Sequence, residues 1–484
     1  MSRKYNGLAG WCIVSLLSIA SFAANNQDLR LAEAGEKGDM QTMRSLLKQH
    51  AVVNSSQADG TTALAWAVYW DDLDMAGHLV AAGADVNASN DYGVTPLSLA
   101  CTNRNAAMVE RLLKAGAIAN SAQTTGVTAL MTCARTGNVD AVKSLLAREA
   151  RVNASETQLG QTALMWAIAE KHPEAARALI ERGADVRARS KNGFTPLMFA
   201  AQQGDTDSVR TLLAAGADVN DTTPNGMTAL LVASASGHEA VAVYLLDHGA
   251  DSNATDADGM TPLHYSVLKG IALLADLKFN PVLAHLFRPN MPELAKALLA
   301  HGANPNPRVT KNPAGATPFL LAAATSDVSI MRILAAGGAS PLAATKTNIT
   351  ALMAAAGMGR REDRTEEEER SSLEAVKVVV ELGGDVNATN QFGQTALHAA
   401  AYMGADDIIQ FLASKGAKVD AKDKYGQTPL SIAENVITPE LVNFDFRPFV
   451  IHQSTADLLL KLGATPVSAS SAKSSGSPSV TPAQ

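Results

Sequence analysis

The chain has 484 residues, of which 47% are hydrophobic and 18% charged, so it carries enough apolar material for an extensive core and is not a disordered polymer. With 40 Lys and Arg residues against 47 Asp and Glu, the net charge is −7, which argues against a general nucleic-acid binder. Three cysteines are too few for a scaffold held together by disulfides.

The amino terminus has the pattern of a secretory signal peptide. Arg3 and Lys4 precede a short apolar run over 8–22, and Ser21 and Ala23 supply the small residues of a cleavage site. The apolar run is shorter than the ~20 residues that span a bilayer, although an uncleaved anchor is the alternative.

This pattern predicts that residues 1–23 are removed after Ala23 and that 24–27 form a short lead-in. We therefore expect a mature protein without membrane attachment, located in a bacterial periplasm or secreted beyond it.

A motif of the form Gly-x-Thr-(Pro/Ala)-Leu, or a close variant, recurs along the chain. Successive threonines lie 33 residues apart, except for gaps of 34, 56 and 45 residues. Such a period is typical of stacked structural repeats. The threonines are Thr62, Thr95, Thr128, Thr162, Thr195, Thr228, Thr261, Thr317, Thr350, Thr395 and Thr428.

Each repeat predicts two short helices. The Thr is placed to cap the first helix, and Pro or Ala follows at the first helical position. A second helix then ends at a Gly suited to a left-handed turn. The Gly expected after the first helix is replaced in four repeats, and Glu149 replaces the second-helix Gly in another. If the turn after the first helix is kept, the four residues that replace its Gly bear backbone strain: Asp71, Arg104, Lys171 and Ser326.

These features resemble the ankyrin-repeat family. The stretch Asn192-Gly193-Phe194-Thr195-Pro196-Leu197, followed by 212–220, matches the family's repeat almost throughout. The resemblance covers about 28–465 and gives twelve repeats, counting an opening repeat without the Thr motif. It implies an all-α repeat solenoid of helix-turn-helix units joined by short β-hairpin-like turns, which binds proteins through its turn tips and the inner face of its first helices.

The positions that the resemblance assigns to partner binding hold several aromatic residues, although aromatics are only 5% of the chain. Tyr and Trp are favoured interface anchors, and packing against neighbouring turns is the alternative role. Four further aromatics, Trp66, Trp166, Phe199 and Tyr265, lie four residues after a motif Thr, where we expect core between repeats. The predicted partner-binding residues are Tyr69, Trp70, Tyr92, Phe194, Phe392, Tyr402 and Tyr425.

Three insertions interrupt the period, and a tail ends the chain. The apolar insertion near 270–292 predicts a helix folded back on the solenoid or an element for partner docking. The insertion near 360–372 contains Glu366–Glu369 and predicts a solvated loop or a helix extension. The insertion near 435–453 is placed to cover the open end of the stack. The Ser/Ala/Pro-rich tail 466–484 is predicted to be disordered.

The sequence contains none of the usual catalytic motifs. His238-Glu239 opens a zinc-protease pattern, but Ala242 stands where the second His belongs. Neither a phosphate-binding loop nor a nucleophile elbow occurs. The sequence thus predicts a non-enzymatic protein without cofactor or metal. For His264 and His398, the resemblance implies a structural hydrogen bond.

Cys101 and Cys133 remain after removal of the leader. Helices in adjacent repeats are expected roughly 8–10 Å apart. A disulfide generally needs Cα atoms closer than ~7 Å, so the sequence predicts two buried free thiols.

The leading hypothesis for function is an exported, monomeric scaffold that binds a protein partner of unknown identity through its concave face, with no nucleic-acid partner. One alternative is a secreted effector that acts on host or competitor proteins. Another is a ligand-binding or enzymatic protein with its site on an insertion.

Overall fold

The computed structural model describes residues 28–267, 289–311, 313–358, 365–436 and 451–466. The chain divides into two compact units, Met1–Pro224 and Asn225–Gln484. In the described part of the first, helices pair along the chain, two to each repeat. They are α1 (Arg30–Glu36), α2 (Met40–Lys48), α3 (Ala63–Tyr69), α4 (Leu73–Ala81), α5 (Pro96–Thr102), α6 (Ala106–Lys114), α7 (Ala129–Thr136), α8 (Val139–Leu146), α9 (Ala163–Ala169), α10 (Pro173–Ile180), α11 (Pro196–Gln203) and α12 (Thr206–Ala214).

The second compact unit continues the same alternation of helices in its described residues. They are α13 (Ala229–Ser236), α14 (Glu239–Asp247), α15 (Pro262–Tyr265), α16 (Pro292–Ala300), α17 (Pro318–Ala324), α18 (Val328–Ala336), α19 (Ala351–Ala355), α20 (Glu366–Glu381), α21 (Ala396–Tyr402), α22 (Asp406–Ser414), α23 (Pro429–Ala433) and α24 (Gln453–Lys461). The expected all-α repeat solenoid is confirmed.

The motif threonines cap the first helices as the sequence predicts. At α5, Thr95 Oγ1 accepts from the backbone N–H of Ser98 at 3.3 Å, and Ser98 Oγ accepts from the N–H of Thr95 at 3.0 Å. Each bond satisfies a donor that the helix itself leaves unpaired. The Thr hydroxyl accepts from the N–H three residues later in the same way at Thr62, Thr128, Thr162, Thr195, Thr228, Thr261, Thr317, Thr350 and Thr428.

The turn tips join neighbouring repeats through backbone hydrogen bonds. The N–H of Asp91 donates to the carbonyl of Asp59 at 2.8 Å, and the N–H of Thr124 donates to Tyr92 at 3.0 Å. In the second compact unit, Lys424 donates to Phe392 in the same way at 2.7 Å. The β structure of the described residues is limited to isolated antiparallel bridges in three turns, Ser56–Thr62, Ala122–Thr128 and Ser155–Thr162.

The 34-residue gap in the period is absorbed by the longer turn of the fifth repeat. The buried carboxylate of Glu156 accepts from the backbone N–H groups of Gln158 at 2.6 Å, Leu159 at 2.9 Å and Gln161 at 2.8 Å. Burial opposes ionisation of this carboxyl, but the three hydrogen bonds outweigh burial and lower its pKa. The Glu156 carboxylate therefore satisfies three backbone donors of the turn that holds the extra residue.

Five non-glycine residues adopt the left-handed turns that the sequence predicts at their positions. After the first helices, φ is 60° at Asp71, 60° at Arg104, 59° at Lys171 and 55° at Ser326. After the second helix of the fourth repeat, φ is 57° at Glu149. The turn is therefore kept without glycine, at a cost of roughly 1 kcal/mol or more for each residue.

The prediction of two free thiols is wrong. Cys101 in α5 and Cys133 in α7 form a disulfide, with their Cα atoms 4.6 Å apart and both side chains fully buried. The expected spacing of 8–10 Å applies to helix axes, whereas each Cα lies about 2.3 Å from its own axis. Cα atoms on the facing sides of two such helices therefore approach to within disulfide range.

The acidic run of the second insertion begins a helix. Thr365 caps α20, and the Glu368 carboxylate accepts in return from the N–H of Thr365 at 3.0 Å. Exposed Glu366–Glu369 thus occupy the first helical turn, where the helix dipole favours negative charge. This is the predicted helix extension.

Several predictions fall outside the described residues. These are the signal peptide 1–23, the lead-in 24–27, nearly all of the insertions near 270–292 and 435–453, and the tail beyond 466. Within the described residues, no helix combines the length and the apolar character needed to cross a membrane.

Candidate functional site

Three of the predicted partner-binding residues are exposed in the first compact unit. Tyr69 is the last residue of α3 and Trp70 follows it, while Tyr92 lies in the turn tip of the third repeat. Their side chains are 50%, 49% and 60% exposed, respectively. Exposed rings of this size on the face formed by the first helices and turn tips, hereafter the groove face, are suited to contacting a partner.

The rings at the end of α3 hold each other in place. Tyr69 packs edge to face against Trp66, with centroids 5.5 Å apart, and against Trp70 at 5.1 Å. The indole N–H of Trp70 donates to the carbonyl of Gly35 in the first repeat at 2.8 Å. These contacts restrict the ring orientations, so that binding would cost little side-chain entropy.

Trp66 and Trp166, which the sequence assigns to the core between repeats, are more exposed than that assignment predicts. Both are half-buried, and the Arg135 guanidinium lies 5.1 Å from the centroid of the Trp166 ring. A sequence signal for Trp66 was available, because Trp66 precedes Tyr69 by three residues and Trp70 by four, which places all three on one side of the helix. Tyr265 is likewise half-buried, whereas Phe199 is buried as expected.

Phe194, the fourth predicted residue of this compact unit, lies apart from the exposed rings of α3. It is half-buried and packs against Phe199 with centroids 5.6 Å apart. This ring contact lies within the sixth repeat, whereas the alternative role that the sequence left open was packing against neighbouring turns.

The second compact unit brings two of its three predicted residues together. The 41% exposed ring of Phe392 stacks against Tyr425 from the next turn tip, at 6.3 Å and 27° between planes. Tyr402 ends α21 and is half-buried, and its carbonyl accepts from His452 Nε2 at 3.1 Å. Phe392 and Tyr425 therefore form a second aromatic surface, which we describe separately from the first.

The two motif histidines make the structural hydrogen bonds that the resemblance implies. His264 Nδ1 accepts from the N–H of Thr261 at 3.1 Å, and its Nε2–H donates to the carbonyl of Ala316 at 3.3 Å. Burial lowers the pKa of His264 to about 4, and burial also lowers the pKa of His398, which makes the equivalent bonds. Both rings are neutral connectors between repeats at neutral pH.

Among the described residues, no three His, Cys, Asp or Glu side chains are grouped so as to hold a metal ion. The described groove face presents aromatic rings, carboxylates and backbone turns.

Comparison with known proteins agrees with this architecture. The family described as "Ankyrin repeats (3 copies)" matches residues 74–156, 150–223, 197–280 and 368–444, which together exceed half of the chain. The Notch-regulated ankyrin repeat-containing proteins of Xenopus tropicalis and Xenopus laevis are each 46% identical over 44 residues, 9% of this chain. The aligned part spans 39% of the length of these relatives.

A crystal structure of the human ASB11 ankyrin repeat domain is 27% identical to this chain, with a TM-score of 0.41. The match covers 46% of this chain and 97% of that one. Since the family match extends over most of the repeats, the chain belongs to the ankyrin-repeat family, whose repeats indicate a protein–protein interaction scaffold.

Proposed function

We propose that this protein is a non-enzymatic, exported scaffold that binds a protein partner through the groove face of its repeats. The observation that carries the proposal is the exposure of Tyr69, Trp70 and Tyr92 on that face of the first compact unit. Fixed aromatic rings supply large contact areas at low entropic cost, and such residues often dominate binding energy. The family is typically non-enzymatic, which supports the same reading for this chain.

Two features support export to a bacterial periplasm or beyond. The first is the leader pattern in residues 1–23, with its basic start and short apolar run. The second is the disulfide between Cys101 and Cys133, because disulfides persist in oxidising compartments and are rare in reducing ones. Removal of the leader would also remove Cys12 and leave only the two paired cysteines.

Export predicts a mature chain that begins at Ala24. Intact mass and amino-terminal sequencing of the protein recovered from periplasm and culture medium check this expectation. Cytoplasmic protein with the leader still attached, and no mature form in either fraction, would contradict it.

Groove-face binding predicts that Tyr69→Ala with Tyr92→Ala weakens the partner complex at least 30-fold, since interface hot spots each contribute about 2 kcal/mol or more. Trp70 is kept because its indole N–H bonds to Gly35. The experiment uses mature protein as bait for periplasm and medium, identifies the captured protein by mass spectrometry, and measures its affinity by calorimetry after purification.

The matched control replaces exposed aliphatic residues that lie outside the groove face. Val52 and Ile118, each 56% exposed, stand in the loops after α2 and α6. The pair Val52→Ala with Ile118→Ala should bind as the wild type does, and circular dichroism should show both variants folded. If the tyrosine pair and the control pair retain equal affinity, the groove face of the first compact unit is not the binding site.

A further inference from the structure

In the first three repeats, acidic residues are neighbours of the exposed rings. We name as the amino-terminal groove patch the rings of Tyr69, Trp70 and Tyr92 together with the carboxylates of Glu36 and Asp91. We infer that this patch binds an extended, arginine-bearing segment of the partner protein. The inference rests on the proposed function and names the chemistry of the partner at that surface.

The indole N–H groups of Trp66 and Trp70 donate to groups within the protein and not to solvent. The indole N–H of Trp70 bonds to Gly35, and that of Trp66 donates to Gln57 Oε1 at 2.9 Å. The amide of Gln57 donates in turn to the Glu36 carboxylate at 2.7 Å. What these residues leave toward solvent is ring faces and carboxylate oxygens, and both attract cations.

Among the described residues, the exposed carboxylates next to these rings form no ion pair. Asp71 follows Trp70, and Asp91 precedes Tyr92. No Lys or Arg of the described residues forms a salt bridge with Glu36, Asp71 or Asp91, although Asn105 donates to Asp71 at 2.8 Å. By contrast, Asp74 on the outer helix α4 is paired with Arg44 at 2.9 Å. The negative charge of the groove patch is therefore available to a ligand.

The turn tips of the first compact unit differ in charge from one repeat to another. At the turn tips, the second and third repeats carry Asp59 and Asp91, whereas the sixth repeat carries Lys191. None of the exposed Lys and Arg residues of the first three repeats lies at a turn tip. Lys37 and Arg104 lie in loops between helices, and the others lie on α1, α2 and α6, namely Arg30, Arg44, Lys48, Arg111 and Lys114. A basic segment is therefore attracted to the first three repeats and not to the tip of the sixth.

Arginine fits this combination better than lysine does. Its planar guanidinium stacks on aromatic rings and donates two parallel hydrogen bonds to a carboxylate, and it is more weakly hydrated than an ammonium group. The chain itself shows the stacking geometry in the Arg135 guanidinium over Trp166. Alternate side chains of an extended peptide point to the same side, about 7 Å apart, so several arginines can face the groove together.

The test uses fluorescein-labelled Gly/Ser peptides with three arginines at alternate positions, titrated with mature full-length protein and followed by fluorescence anisotropy. Matched peptides carry lysine or glutamate instead of arginine. We expect the arginine peptide to bind at least 10-fold more tightly than the glutamate peptide, with affinity falling between 50 and 300 mM NaCl. Asp91→Asn and Tyr92→Ala should each weaken binding at least 3-fold.

The control variant is Leu159→Ala, which removes a 49% exposed side chain from the turn tip of the fifth repeat, outside the patch. It should leave the arginine-peptide affinity unchanged. Equal binding of arginine and glutamate peptides, or equal affinities of Asp91→Asn and Leu159→Ala, would overturn the inference.

Measuring how two variants bind the captured partner distinguishes this inference from the proposed function. If the tyrosine pair loses the partner while Glu36→Gln with Asp91→Asn retains it fully, groove-face binding stands and the basic-segment inference fails. If the tyrosine pair also retains the partner, the proposed function itself fails. Loss of the partner by both variants supports both proposals.

Discussion

Replacing Cys101 and Cys133 together by alanine is expected to lower the free energy of unfolding of the first compact unit by about 3–4 kcal/mol. The two cysteines are 32 residues apart. A crosslink that closes a loop of this length lowers the conformational entropy of the unfolded chain and so stabilises the folded state. Alanine fits both places because other first helices carry alanine there, for example Ala134 and Ala167. The expected loss therefore comes from the crosslink and not from a new cavity.

Tryptophan fluorescence during urea denaturation measures this effect. The described tryptophans, Trp66, Trp70 and Trp166, all lie in the first compact unit. The free energy of unfolding of reduced wild-type protein should equal that of the variant with both cysteines replaced by alanine. Both values should be lower than that of the oxidised wild type. Alkylation of two thiols in non-reduced, denatured wild-type protein would show instead that the crosslink is not formed.

Acidification from pH 6.5 to pH 5 is expected to lower the stability of the eighth repeat by about 2 kcal/mol, reaching about 3 kcal/mol at pH 4. The cause is His264, whose pKa is about 4 in the folded protein against an ordinary value of 6.5. A lowered histidine pKa means that the unfolded chain takes up the proton first. The contribution is therefore complete above pH 6.5 and lost as the pH falls toward 4.

Protonation of His264 would also break its hydrogen bond with the backbone of Thr261. A proton on Nδ1 would oppose the N–H of Thr261, which donates to that nitrogen in the folded protein. His264→Ser provides the matched variant, because Ser98 and Ser431 make the same cap in other repeats.

Hydrogen exchange of α15 and urea denaturation at pH 6.5 and pH 5 measure the effect. We expect His264→Ser to be less stable than wild type at pH 7.5 but to lose less stability on acidification. His78→Ser, at an exposed histidine of α4, serves as the surface control. Identical pH dependence in wild type and His264→Ser would contradict this account.

The sequence predicts the repeats well because each rests on local chemistry. A Thr such as Thr95 caps its helix whatever surrounds it, and the left-handed turn is kept even where Lys171 replaces glycine. These features need no knowledge of distant contacts.

The disulfide and the groove surface depend on distances between repeats, which periodicity does not provide. A 33-residue period places Cys101 and Cys133 in adjacent helices but does not say that their Cα atoms face each other. Likewise, motif positions select both Tyr92 and Phe194, yet only the packing of each ring shows that Tyr92 is exposed while Phe194 lies against Phe199. Glu36 joins this surface through two side-chain hydrogen bonds. Its carboxylate accepts from Gln57, and Gln57 accepts from the indole N–H of Trp66.

The crosslink between α5 and α7 also affects how the chain responds to mechanical tension. Because stacked repeats unravel one after another, pulling on the two ends releases the contour length stored in each repeat. The 32-residue stretch closed by Cys101 and Cys133 is shielded from that pull while the bond is intact. At ~3.5 Å per residue, the oxidised protein extends roughly 110 Å less than the reduced protein, and tension passes directly between the third and fourth repeats.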